Sequence, residues 1–307
     1  MTRPVTVGMN NTAGSVLAAR WGAHEASLRD APLRLVSAWE WQPYARASLA
    51  SNEMAEQWSR RVPVETAAEL RRQYPGLDIT TERLTGPPPE MLCRAAAESG
   101  LLAIGVGGLG TRAGFLGGSV ASGIVSVTER PVVLVGSGRG VAEGSEYESG
   151  GGGEERGGDM SGAKDPGPVV VGVDPGRPNE EALGFAFEAA ALRSVRLNVI
   201  HGRHRPARFA HGTEADQVRR AAEPGREEEM LRSALAPWLE RYPDVAVRGH
   251  SPSGKPAREL ADAGAGASLV VLGLEARRRR RGVARVGRMN HAVLHRCSAP
   301  VAVVPGR

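Results

Sequence analysis

Two doubly wound α/β domains joined by a linker are predicted by three features of the sequence. The chain has 307 residues, beyond the usual size of one domain and suited to two of about 130 to 150 residues. Residues 137–167 are rich in Gly, Ser and Glu, with Gly150 to Gly153 at their centre and almost no apolar side chains. Such a composition makes a flexible linker, because it has nothing to bury. On either side the same order of strand and helix signals occurs twice, and a repeat that agrees at every step outweighs any single motif. The expected division is residues 1–136, a linker over 137–167, and residues 168–307.

Each half opens with a β-branched run, Val5-Thr6-Val7 or Val169-Val170-Val171-Gly172-Val173, closed by Asn10 or Asp174. A helical stretch follows at about residues 13–29 or 179–193, then a strand over 33–39 or 195–201. A second long helix ends at Tyr74-Pro75 or Tyr242-Pro243, since proline drives the residue before it out of the helical region. Next come a third strand, a helix started by Pro88 or Pro256, and a short apolar strand from Leu101 to Ile104 or Leu269 to Leu272. A last helix and a Pro-Val strand, beginning at Pro131 or Pro300, close each unit. Strands that are apolar on both faces and joined by helices imply a parallel sheet covered on both sides. Ligands then belong at the carboxyl ends of the strands, where the strand order reverses. The closing strand of each half is placed to be an edge, and pairing of the two edges would make a pseudo-twofold dimer within one chain.

Composition narrows the function classes. Hydrophobic residues make up 41% of the chain and aromatic residues only 4%, so Val, Leu, Ala and Ile build the cores, and stacking of bases on aromatic platforms is not expected. No apolar run reaches the roughly 20 residues of a membrane helix, and Met1 to Asn10 lacks the pattern of a signal peptide; the expected location is the cytoplasm, without membrane contact. Cys93 and Cys297 are the two cysteines, one per half, too few for a disulfide framework or a thiolate metal site, and both read as small buried hydrophobes. The net charge of +5 is modest, but Arg277 to Arg281 form an unbroken run. That run is either a solvated loop or an anion patch for nucleic acid or an acidic partner.

The informative motif is Gly105-Val106-Gly107-Gly108 followed, after nine intervening residues, by Gly118-Ser119. It lies between a strand and a helix. Glycines there let backbone amides approach a polyanion, and the helix start at Ser119 adds free amides and a hydroxyl donor; alternatively they only permit tight turns. A glycine, two residues, a glycine, nine residues, then glycine with serine or threonine resembles the nucleotide loop of ATP-binding universal stress proteins. Gly105, Gly108, Gly118 and Ser119 match it, and the resemblance covers nearly the whole chain in two copies. It implies a Rossmann-like fold of the adenine nucleotide alpha hydrolase type, with strand order 3-2-1-4-5 in each domain. It also implies ATP as cofactor, with or without Mg2+, the end of the first strand at the adenosine, and the end of the second, at Ala38, meeting adenine through backbone.

The first half departs from the family where Asn10 replaces an aspartate, keeping hydrogen-bonding capacity without charge. In the second half Asp174 is present, but the loop reads Gly273-Leu274-Glu275-Ala276, with Gly287-Arg288 one residue too far along. That copy is expected to be a structural or regulatory partner that binds ATP poorly. Two further patterns carry no chemistry. Gly249 to Lys255 has Walker A spacing, but Pro256 stands where a Ser or Thr must hold magnesium and offers neither hydroxyl nor amide. His291 and His295 share a helix face with Ala292 where a zinc protease carries its glutamate. No catalytic or metal-binding set is assigned. The expectation is a nucleotide-responsive binding module whose partners are an adenine nucleotide and a protein that reads the nucleotide state. Nucleic acid is disfavoured, and further association of chains is left open.

Overall fold

The computed structural model describes residues 2–40, 49–106, 119–136, 166–201, 214–250, 256–274, 293–294 and 296–306. Its first half runs β1 (Val5–Met9), α1 (Ala13–Leu28), β2 (Leu33–Trp39), α2 (Leu49–Gln73), β3 (Ile79–Thr85), α3 (Pro88–Ala97), β4 (Leu101–Val106), α4 (Ser119–Val127) and β5 (Val132–Gly136). The second half runs β6 (Val169–Val173), α5 (Glu180–Arg193), β7 (Leu197–His201), α6 (Glu214–Arg241), β8 (Val247–His250), α7 (Pro256–Ala263), β9 (Leu269–Leu274) and β10 (Val301–Pro305). Residues 137–165 of the expected linker lie outside the described residues.

The strands form one ten-stranded sheet in the order β3-β2-β1-β4-β5-β10-β9-β6-β7-β8. Each set of five is parallel, with the reversal of order beside its first strand that the sequence led us to expect. The two sets meet edge to edge: β5 and β10 pair antiparallel, Val303 opposite Val132 and Val301 opposite Leu134. Edge pairing satisfies the backbone groups that each five-stranded sheet would otherwise leave open. Both faces of the sheet carry a core that continues across this seam. One face is packed by α1, α2, α5 and α6, the other by α3, α4 and α7. The strands next to the seam are Val- and Leu-rich and buried on both faces, as parallel strands between helical layers must be.

Charge as well as apolar surface joins the halves. Glu25 of α1 is fully buried, accepting from Arg29 Nε at 2.7 Å and, on its other oxygen, from Arg193 Nη2 of the second half. Arg29 Nη1 donates onward to Glu188 Oε2 at 2.8 Å, and its guanidinium lies 5.1 Å from the centre of the Phe185 ring. Burial works against the Arg29 cation, but Glu25 and Glu188 outweigh it and hold its pKa above the ordinary arginine value. The two arginines are counterparts, each just before a residue with left-handed backbone, Asp30 (φ 47) or Ser194 (φ 53).

One detail differs from the sequence reading, which expected both cysteines to be buried. Cys297 is buried, but Cys93 is only half-buried; burial raises both thiol pKa values, which keeps thiolate scarce. Gly249 lies within β8, and a side chain there would meet nothing within 4 Å, so the start of the Walker-like pattern is an exposed strand edge rather than a phosphate loop. Residues 251–255 of that pattern lie outside the described residues. Among the described residues no helix is long and apolar enough to cross a membrane.

Candidate functional site

At the strand ends of the first half β1 stops before β2. Their register runs from Val5 opposite Leu33 to Met9 opposite Ser37 and ends there. The chain leaves β1 through a tight hydrogen-bonded turn. Asn10 Oδ1 accepts from the Thr12 amide (3.0 Å) and from Thr12 Oγ1 (2.6 Å), and Ser15 Oγ donates to the carbonyls of Asn10 (2.7 Å) and Thr12 (2.9 Å). Thr12 also caps α1 by accepting from the Ser15 amide at 3.3 Å, which satisfies one of the orphan donors of the first turn. Asn10 is exposed. With its oxygen committed to the turn, its Nδ2 group is the donor left for a ligand.

Where β1 turns away, a cavity of about 190 Å³ opens. Met9, Asn10, Asn11, Ser37, Ala38 and Trp39 line it from the strand ends, and Trp58, Ser59, Val62 and Pro63 line it from α2. Backbone direction alternates along a strand. In β2, Leu33 N donates to Asp78 and Trp39 O accepts from Gly86, so the odd-numbered residues face β3. Ala38 therefore faces the other way, and its carbonyl is presented beyond the end of the ladder with β1.

Pro63 explains how α2 is held at this place. It lies inside the helix and has no N–H, so the Ser59 carbonyl four residues earlier loses its helical donor. Ser37 Oγ, reaching from β2, donates to Ser59 O at 2.8 Å. A buried strand hydroxyl thus meets a carbonyl that only a proline sets free, and strand and helix are fastened along the cavity wall.

Gly105 stands at the end of β4, on the far side of β1. A Cβ at Gly105 would overlap the carbonyl group of Gly14 and lie 2.5 Å from Ser15 N. Gly105 is therefore required by the packing of the first turn of α1 onto β4, a reason independent of any phosphate. Close packing also holds the amino end of α1, with its partial positive charge, at the strand ends. Asn10 and Ala38 are brought together on the cavity, and Gly105 ends the neighbouring strand. Ser119 is the first residue of α4. Gly108, Gly118 and the side chain of Ser119 lie outside the described residues.

Composition gave no warning of Trp39 and Trp58. Aromatic residues are scarce, yet two of the five tryptophans line one cavity. The local pattern carried the signal: Trp39 is two residues beyond Ser37 and on the same face of β2, and Trp58 is one helical turn before Val62.

The second half places different groups at its strand ends. Asp174 Oδ1 accepts from Gly176 N at 2.9 Å in a similar turn. His201, 4% exposed, pairs with Val173 in the register where Ser37 pairs with Met9. Asn179 caps α5 by accepting from Ala182 N (2.8 Å) and donates through Nδ2 to Leu274 O (3.1 Å), with Val304 O at 3.5 Å. Its side chain packs against Gly273, with Cβ 2.8 Å and the carboxamide 2.9 to 3.0 Å from where a Cβ at Gly273 would be. Glu275, Ala276, Arg277 to Arg281, Gly287, Arg288, His291 and His295 lie outside the described residues. Among the described residues no three His, Cys, Asp or Glu side chains gather as metal ligands would.

Comparison with known proteins agrees with this architecture. The model of the universal stress protein family matches residues 1–136 and 167–305. A universal stress protein of Mycobacterium tuberculosis is 29% identical over 311 residues, covering 97% of this chain and 96% of that protein. One from Mycolicibacterium smegmatis is 27% identical over 314 residues, covering 99% and 97%. The crystal structure of a universal stress protein from Archaeoglobus fulgidus shares the fold, with a TM-score of 0.62 at 15% identity over 99% of this chain and 96% of that one. The chain therefore belongs to the universal stress protein family, in a form that carries two copies of the family's domain.

Proposed function

We propose that the chain is an ATP-responsive regulatory module of the stress response, holding the nucleotide at the strand ends of its first domain and passing its state to a protein partner. The observation that carries this reading is the cavity between the ends of β1 and β2 and helix α2, with Asn10 and Ala38 on its wall. At about 190 Å³ it is smaller than the ~300–1,000 Å³ of sites that enclose a whole drug-sized ligand. It suits the base, with ribose and phosphates leading out along the strand ends. In this reading the Ala38 backbone meets the adenine edge and Asn10 Nδ2 meets the nucleoside. Gly105, Gly108, Gly118 and Ser119 form the loop that receives the triphosphate, and any Mg2+ is carried on the phosphates. The output is a change of population, since a ligand that prefers the ordered loop favours that state. The protein acts in the cytoplasm as a binding module, with no catalytic residues assigned.

Calorimetric titration of ATP into the intact chain and into Gly118→Val tests the reading. One site per chain, lost in the variant, is expected; no heat from the intact chain would contradict it.

A further inference from the structure

Resting on that reading, we infer that Trp39 is the stacking plate for the base and that Arg83 and Glu56 are positioning residues which hold it in place. Trp39 ends β2 and lines the cavity. The Arg83 guanidinium, from the neighbouring strand β3, lies 4.8 Å from the centre of the Trp39 ring. A cation at that distance is attracted by the ring quadrupole and restricts the ring's motion. Arg83 is fastened in turn: its Nη2 is 3.2 Å from Glu56 Oε1 on α2, and the same oxygen accepts from Arg60 Nη2 at 2.9 Å.

One detail is consistent with Arg83 being arranged around the ring. Its Nε is buried and has no hydrogen-bond partner among the described residues. Buried donors are nearly always paired, and an arginine free to turn would find an acceptor for this one. Lying over Trp39 with Glu56 on its outer nitrogen, the guanidinium holds the ring contact and the Glu56 bond together. The result is an aromatic wall fixed before any ligand arrives. A ring ordered in advance loses little rotamer freedom on binding, which favours affinity for a flat ligand. Stacking accepts any base, so Trp39 supplies affinity for planar heterocycles, and the choice of adenine falls to the polar edge at Ala38.

The test uses the full chain and three variants, Trp39→Leu, Trp39→Phe and Arg83→Met, with ATP as the probe and circular dichroism and melting as checks of folding. Trp39→Leu is expected to weaken ATP binding by roughly five- to 150-fold, the range for loss of one base–aromatic stack. Trp39→Phe keeps a ring and should recover most of that loss. Arg83→Met should weaken binding about two- to fivefold, as for an exposed cation–π contact. A merely structural role would not predict that ATP quenches tryptophan fluorescence in the wild type and much less in Trp39→Phe. Equal ATP affinity in wild type and folded Trp39→Leu would overturn the stacking role while leaving ATP binding intact. No ATP binding by the wild type would overturn both.

Discussion

The two halves share one topology and differ at the ends of their strands. In the first, α1 starts three residues after Asn10, its first turn lies directly on Gly105, and a small buried Ser37 leaves room for a cavity beside Ala38. In the second, α5 starts six residues after Asp174, the side chain of Asn179 fills the place taken by the α1 backbone in the first, and His201 takes the position of Ser37. The comparison separates the roles of the repeated glycine. Gly105 and Gly273 occupy matching ends of β4 and β9, and both are needed because something packs on them. In the first half that neighbour is helix backbone; in the second it is a carboxamide that ties β9 to α5. A glycine kept for packing is thus present in the half whose nucleotide loop is disturbed, so Gly105 alone says little about phosphate.

The halves differ again where they meet, and the largest expected effect lies there. Glu25 serves Arg29 and Arg193 together, whereas the matching position of α5, four residues before Arg193, is Ala189. Glu25→Ala leaves Arg193 without its carboxylate and Arg29 with Glu188 alone, both largely buried, and should lower stability by about 3 kcal/mol, read as an earlier chemical denaturation midpoint. A change below about 1 kcal/mol would show that the seam is held by its apolar strands alone.

Next in size are the two glycines. Gly105→Ala must push α1 backbone away from β4, and overpacking of this kind costs about 1–3 kcal/mol. Gly273→Ala meets Asn179 Cβ at 2.8 Å, which moves only with its backbone, a milder overlap than the 2.2 Å to Gly14 at Gly105, so its cost should be the smaller of the two within that range. Thermal melts of the two variants make the comparison. A larger loss for Gly273→Ala would reverse the account of which contact is rigid.

The smallest effect concerns the residue that departs from the family. Asn10→Asp keeps the acceptor of the turn and removes the Nδ2 donor that meets the nucleoside in the proposed reading, and one hydrogen bond is worth about 1 kcal/mol. Binding of ATP should weaken by roughly fivefold, and Asp174→Asn should leave it unchanged. Tighter binding by Asn10→Asp would mean that an acceptor, not the Nδ2 donor, is what the nucleoside uses.

Most of the fold was legible because strand and helix signals recur in the same order in both halves. Even the seam could be anticipated, since Val132 to Val135 and Val301 to Val304 are apolar strands at the end of each unit. Within the proposed site only backbone positions were legible, where a residue type signals its own backbone role: Asn10 at the end of a strand, and Ser119 at the start of a helix. The cavity wall was not. Pro63 in α2 looks like a helix breaker, and only the Ser37 hydroxyl across from it shows why the helix continues. Trp39 and Trp58 were overlooked because a low aromatic content describes the whole chain and says nothing about where its few rings gather. Gly105 was read for phosphate because its contact with Gly14 joins positions far apart in sequence.

Hydrogen–deuterium exchange of the full chain with and without ATP tests the central claim most directly, because it reads both halves in one sample. Protection on ATP addition is expected at residues 9–15, 37–39 and 105–106 and at the start of α4, with no change at 174–180, 199–201 and 272–274. Equal protection in the two halves, or protection confined to the second, would contradict the account.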